Sequence, residues 1–196
     1  ISIGEYRNEY PIWAYPKMQA LPEGVFVTDS VEIAIEKLRA GETVLLDPIS
    51  DEEHFPRSIK AQFSTDFWSV GTFPSQSGFM GICVDEKHSA FTNFPTSFHS
   101  DWQWWQLTSH RAMILPNGYK SIVTGLDSYA RLRNLSLLFE AKVGRGKLLV
   151  SSMNLTRDRH IPEVGAMLES LCAYAASEMF EPVQCMTEED LRALVQ

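Results

Sequence analysis

Apolar residues recur along the chain at two rhythms, and each predicts a kind of element. Val31, Ala34, Ile35 and Leu38 fall at helical spacing behind Asp29, which predicts a helix capped by Asp29, braced by Glu32 three residues on, and ended by Gly41. The flanking runs Val25-Phe26-Val27 and Thr43 to Asp47 predict two buried strands, and strand, helix, strand in that order is a parallel crossover. The clearest helix comes late. Pro162 opens it, Val164, Met167, Leu168, Leu171, Cys172, Ala175 and Met179 keep its inner face, and Pro182 closes it. Thr187 caps a last short helix with Leu191 and Leu194 inside.

Between these elements, residues 48–77 read as loops with one strand near 61–63, and better strands are predicted at 78–84, 110–115 and 121–127. The turn Pro116-Asn117-Gly118 ends the middle one. Apolar runs over 135–143 and 147–152 flank Gly144-Arg145-Gly146, which predicts an antiparallel hairpin. The prediction is therefore an α/β domain over 23–196 whose sheet is mainly parallel, with one antiparallel hairpin. Residues 1–22, with Pro11, Pro16 and Pro22 among aromatic residues, read as an extended connector from a preceding domain. The chain starts at Ile1 rather than Met and is expected to be part of something longer.

Composition narrows the function. Hydrophobic residues make up 44% of the 196 and charged residues 21%, so a real core is expected without staples. A net charge of −8, with Lys and Arg dispersed, disfavours nucleic acid. No apolar stretch is long enough to span a bilayer, and no signal peptide is visible. Cys83, Cys172 and Cys185 match neither a disulfide framework nor a zinc site, and Cys83 and Cys172 read as buried small hydrophobes. No metal and no cofactor is expected.

Candidate chemistry gathers in one place. Residues 98–107, Phe-His-Ser-Asp-Trp-Gln-Trp-Trp-Gln-Leu, hold three of the five tryptophans together with His99 and Asp101. In a helix Trp102 and Trp105 share a face and Trp104 lies away from them, so one side can be core while the other meets a ring-shaped ligand or a partner. Ser100 or Asp101 is expected to start that helix, with His99 hydrogen-bonded nearby. Phe67 and Trp68, on the long excursion after the second strand, are further contact candidates.

Other motifs carry less. No Gly-x-Ser-x-Gly or Gly-x-Cys-x-Gly occurs, so the chain has no nucleophile elbow by sequence, although Cys83 could meet His88 or His99 in space. Gly144-Arg145-Gly146-Lys147 joins two strands and opens no helix, so it reads as a turn rather than an anion cradle. Asn134-Leu135-Ser136 and Asn154-Leu155-Thr156 match the glycosylation acceptor pattern.

With Phe94-Pro95-Thr96, the run His99 to Trp105, and Leu137 to Val150 in view, most of the chain resembles the C-terminal domain of large bacterial family 2 glycoside hydrolases, β-galactosidase-like or sugar-binding proteins. The resemblance implies a class I glutamine amidotransferase-like fold, a flavodoxin-like three-layer sandwich. Such hydrolases carry their two catalytic glutamates on a separate (β/α)₈ barrel of about 250 residues, which has no room here. Asn8-Glu9 is similar to the barrel's acid/base dipeptide but stands in the proline-rich lead-in. The resemblance thus implies a non-catalytic accessory domain that supports the barrel or helps bind carbohydrate. Trp68, His99, Asp101, Trp102 and Trp105 are its carbohydrate-binding or interdomain residues. Its partners are the parent's other domains and an oligosaccharide, and its location is periplasmic or extracellular if the parent is exported. A small Cys-dependent hydrolase or transferase and an oligomerisation module are the alternatives.

Overall fold

A computed structural model describes residues 2–17, 20–63, 73 and 78–196, so the expectations for Phe67 and Trp68 lie outside the described residues. Strands β1 (Ser2–Ile3) and β2 (Tyr6–Arg7) make a small antiparallel ladder, and the segment after it is mostly exposed, with Tyr15 half-buried. Then come β3 (Phe26–Thr28), α1 (Val31–Ala40), β4 (Thr43–Leu46), β5 (Ser58–Lys60) and β6 (Ile82–Val84). A 3₁₀ turn (Ser89–Phe91) leads to α2 (Trp104–Leu107), β7 (Arg111–Ile114), β8 (Val123–Gly125), β9 (Leu135–Val143) and β10 (Gly146–Ser151). Helices α3 (Pro162–Ala175) and α4 (Glu188–Leu194) close the chain.

One sheet runs β3-β4-β10-β9-β7-β5, with β8 also paired to β9 and β6 beyond β8. Among the described residues only β3 with β4 and β4 with β10 are parallel pairs, so the sheet is mixed, which corrects the expected mainly parallel one. The cause is connectivity. A parallel pair needs a crossover such as α1, whereas β8 to β9 and β9 to β10 are joined by links with no helix in them, so each returns antiparallel. The hairpin turn is Gly144-Arg145, with Gly144 at φ +58°. Gly146 opens β10 where a Cβ would stand 2.6 Å from the Leu38 Cα, so only glycine lets α1 approach the strand.

Alternation along the central strands divides the core. Val44, Leu46, Leu148 and Val150 face α1 and α4, burying Val31, Ala34, Ile35, Leu38, Leu191 and Leu194. Leu45, Leu149 and Leu137 face the other way, onto Val164, Met167, Leu168, Leu171 and Cys172 of α3 and onto Trp104 and Leu107 of α2. Each such aliphatic side chain contributes roughly 1.5–3 kcal/mol by leaving water, and helices therefore cover both faces.

Several local expectations are corrected. Ser30, not Asp29, caps α1 by accepting from the Ile33 N–H at 3.4 Å, while Glu32 turns outward to pair with Arg192. Strand β3 is half-buried because it is an edge strand. The strand expected at 61–63 lies at Ser58–Lys60, and Phe63 keeps only an isolated parallel bridge to Phe79. Helix α3 stops at Ala175, leaving Met179 exposed and outside it, and the turn beyond buries Phe180 instead. Thr187 and Gly41 cap their helices as the sequence predicts.

The link from β8 to β9 is held by Asp127, which accepts from Arg133 Nε at 2.8 Å, Nη2 at 2.9 Å and the backbone N–H at 2.7 Å. Burial works to raise the Asp127 carboxyl, but the combined donors and charge of Arg133 and the Ser128 N–H outweigh it and hold the group below the usual range. A folded pKa below the unfolded one stabilises above the unfolded value, near 4, and that contribution is lost as pH falls through the folded value. Asp127→Asn is expected to lose about 1–3 kcal/mol at neutral pH and to show a shallower acid limb in its melting curve. Parallel acid limbs in variant and wild type would show that Asp127 does not set it.

Candidate functional site

The site is built around α2. The Trp104 N–H donates to the Asp101 carbonyl at 3.1 Å and the Asp101 Oδ1 accepts from the Gln103 N–H at 3.2 Å, so a tight turn precedes the helix. Asp101 therefore fastens that turn instead of starting the helix, whose N-cap is Gln103 without a side-chain cap bond. Trp104 swings inward and is fully buried, its Nε1 donating to Thr96 Oγ1 at 2.9 Å. The Gln103 side chain donates to the Pro95 carbonyl at 3.1 Å and accepts from the Tyr15 hydroxyl, which ties the lead-in segment to the tryptophan turn. Tyr15 also stacks on Phe94, and burial, with Glu163 and Asp101 nearby, pushes its hydroxyl pKa up.

Trp102 and Trp105 point the other way. They are 76% and 54% exposed, with ring centroids 6.1 Å apart and planes inclined at 47°. Two exposed indoles side by side, Trp102 on the turn before α2 and Trp105 within it, contribute little to the core and present a large apolar area to water. A hollow of about 250 Å³ lies between them, Phe63, Ser100 and Asp101. A second, of about 420 Å³, continues past Phe63 and Trp105 along Lys60, Ala61, Gln62, Thr108 and Ser109. Because Phe63 and Trp105 border both, the two form one groove. The Asp101 carboxyl is pushed up by partial burial, opposed by the Gln103 N–H and by His99. It remains an acceptor at one end of the groove.

Of the expected residues, Asp101, Trp102 and Trp105 are brought together. His99 lies outside the groove's lining, its Nδ1 donating to the Ser100 carbonyl at 3.0 Å. Sequence reasoning missed Lys60, Gln62 and Phe63, which reach the groove only because β5 pairs antiparallel with β7. No local signal marks them.

Cys172 is buried as expected, and burial together with the Asp47 charge pushes its thiol up to about 12. Cys83 is exposed, which corrects the expected buried position: β6 has Ile82 and Val84 inward, so the residue between them points outward. Its cross-strand partner is His99. A strained strand-to-helix turn does exist, between β10 and α3, but the residue at φ +58° on it is Asn154. Asn154 Nδ2 donates to Asp158 Oδ2 at 2.8 Å, and His110 Nε2 is 3.1 Å from the same oxygen. No group of three or more His, Cys, Asp or Glu with metal-holding geometry occurs among the described residues.

Fold and site together define a mixed α/β domain that carries an exposed tryptophan pair on one flank of its sheet. From β3 onward, over residues 25–196, the chain matches the family described as "Domain of unknown function (DUF8487)", and it belongs to that family. No curated protein matches it. Among the described residues no helix is long and apolar enough to cross a membrane.

Proposed function

We propose that this chain is a non-catalytic accessory domain of a bacterial, β-galactosidase-like glycoside hydrolase, and that its tryptophan groove contributes to carbohydrate binding. The observation that carries the reading is the exposed Trp102–Trp105 pair beside a carboxylate. Indole faces stack on the C–H surfaces of sugar rings, and Asp101 is placed to accept from hydroxyls. In this reading the fold is the flavodoxin-like, amidotransferase-like sandwich that the sequence resembles. Helices on both faces and the parallel run β3-β4-β10 favour that assignment. Asn154 on the strained turn favours a domain without a nucleophile there, since an amide cannot serve as one. The parent's other domains are its partners, and the periplasm or cell exterior is its location.

The test is titration of the double variant Trp102→Ala/Trp105→Ala with galacto-oligosaccharides, following heat or tryptophan fluorescence. Affinity is expected to fall at least about tenfold, while stability changes by no more than roughly 0.5 kcal/mol per exposed site. Undiminished binding by the variant, or no binding by the wild type at millimolar sugar, removes the carbohydrate role. A change in mass by light scattering on making the variant would favour the oligomerisation module instead.

A second reading, a Cys-dependent hydrolase or transferase, gains from exposed Cys83 opposite His99, whose Nδ1–H is spent on the Ser100 carbonyl and leaves Nε2 to accept a proton. Cys185, also exposed, supplies an internal reference for alkylation with iodoacetamide. The accessory-domain reading expects Cys83 and Cys185 to react at similar rates and Cys172 to be spared. A Cys83 that reacts at least about tenfold faster than Cys185, and slows in His99→Ala, would favour the enzyme.

A further inference from the structure

The groove joins hollows of about 420 and 250 Å³, and its two ends differ in charge. Trp105 and Phe63 stand at its middle, Trp102, Ser100 and Asp101 at one end, and Lys60 and Gln62 at the other. The polar groups at the second end divide sharply. The Thr108 hydroxyl donates to the Trp104 carbonyl at 2.7 Å and the Ser109 hydroxyl donates to the Trp105 carbonyl, so both donors are spent inside α2. Lys60 has no ion pair among the described residues, although the chain carries a net −8 and eight other cationic side chains are paired with carboxylates. An ammonium offers three donors and no acceptor, and among the described residues none of the others lining that half of the groove is acidic.

We infer that the groove takes an extended oligosaccharide bearing an anionic substituent, a carboxylate or a sulfate, with that group against Lys60 and the uncharged hydroxyls toward Asp101. This rests on the carbohydrate reading above and adds chain length, charge and direction to it. The direction follows from repulsion. An anionic group at the opposite end would meet the Asp101 carboxylate, whereas at Lys60 it gains a charge-assisted hydrogen bond. Shared lining by Trp105 makes a single ring on the indole pair an incomplete ligand, because the Lys60 end would stay empty.

The experiment compares three probes of matched length on the intact chain by calorimetry at low and at physiological salt: a neutral galacto-oligosaccharide, an oligogalacturonate and a sulfated galacto-oligosaccharide. At least one anionic probe is expected to bind about tenfold more tightly than the neutral one, with an affinity that falls as salt rises. Lys60→Met and Lys60→Gln are expected to abolish that preference, weakening the anionic probes about tenfold more than the neutral one at an unchanged melting temperature, and whichever anionic probe is preferred identifies the substituent. Equal binding of all three probes, or a preference that survives both Lys60 variants, overturns the inference but leaves the tryptophan platform standing as long as Trp105→Ala weakens every probe. If no probe binds the wild type, the inference and the carbohydrate reading beneath it fall together.

Discussion

Replacing Trp104 with alanine is expected to lower the unfolding free energy by about 3–5 kcal/mol, the range for truncating a buried aromatic side chain. Trp104 is fully buried, packs edge-to-face on Phe91 and Phe94 with centroids at 6.2 and 5.7 Å, and satisfies its N–H through Thr96. A helix as short as α2 has no independent stability, so what orders it is the anchoring of this one side chain against α3. For a domain of this size the loss corresponds to a fall in Tm of roughly 10 °C. Trp104→Phe keeps the ring contacts but orphans Thr96 Oγ1, and should cost about 1 kcal/mol. The contrast with the adjacent exposed tryptophan is the informative part. If Trp105→Ala destabilised as much as Trp104→Ala in denaturant unfolding, the outward face of α2 would be structural and the groove would lose its standing as a site.

Asp47→Ala is expected to cost about 3–5 kcal/mol for a different reason. Asp47 follows β4 almost wholly buried, and its carboxylate accepts from the Leu155 N–H at 3.1 Å and from the Thr156 N–H and hydroxyl at 2.7 and 2.8 Å. These bonds tie the end of β4 to the turn that carries Asn154. Alanine leaves buried donors without an acceptor, each costing about 1–3 kcal/mol, and opens a small void. Burial pushes the Asp47 carboxyl above its ordinary value, against the pull of the Thr156 and Leu155 donors. A raised folded pKa favours the folded state most below the unfolded value and withdraws that contribution as pH climbs through the folded value. Asp47→Asn should therefore lack the decline that Asp47 imposes between about pH 4 and its folded pKa. Hydrogen exchange at Leu155 and Thr156 checks the local half of the prediction: both amides should lose protection in Asp47→Ala, and unchanged protection would mean that other groups hold the turn.

Asp47 and Asp127 thus act on the acid limb in opposite directions. Asp127 is stabilised as an anion by a guanidinium two-pronged onto it, while Asp47 meets only neutral donors in a drier place. Only the behaviour of Asp47 is out of reach of the local sequence, because its donors come from a segment brought in by the fold. Arg133 is near Asp127 in the chain, but Thr156 reaches Asp47 from across β10.

Elements whose physics is local were legible. Helix α1 ends where Gly41 stands, α4 starts where Thr187 stands, and the β9–β10 hairpin turns at Gly144, because capping and tight turns depend on a few neighbouring residues. The outward placement of Trp102 and Trp105 and the burial of Trp104 also follow from angular spacing, even though the helix itself is shorter than expected. The faces of α1 and α3 were set in the same way, by periodicity alone.

Pairing between distant strands obeyed no such local rule. The alternation around Cys83 is too short to say which side is inward, so its exposure was set only when β6 joined β8 and left His99 across from it. The mixed sheet came from which strands are linked without a helix, and the groove from the antiparallel docking of β5 on β7, which carried Lys60, Gln62 and Phe63 to Trp105. Chain chemistry within a turn or two of helix settled the elements and their buried faces. Contacts between residues far apart in sequence, whose closure entropy is offset only by the assembled core, settled which side chains share a surface.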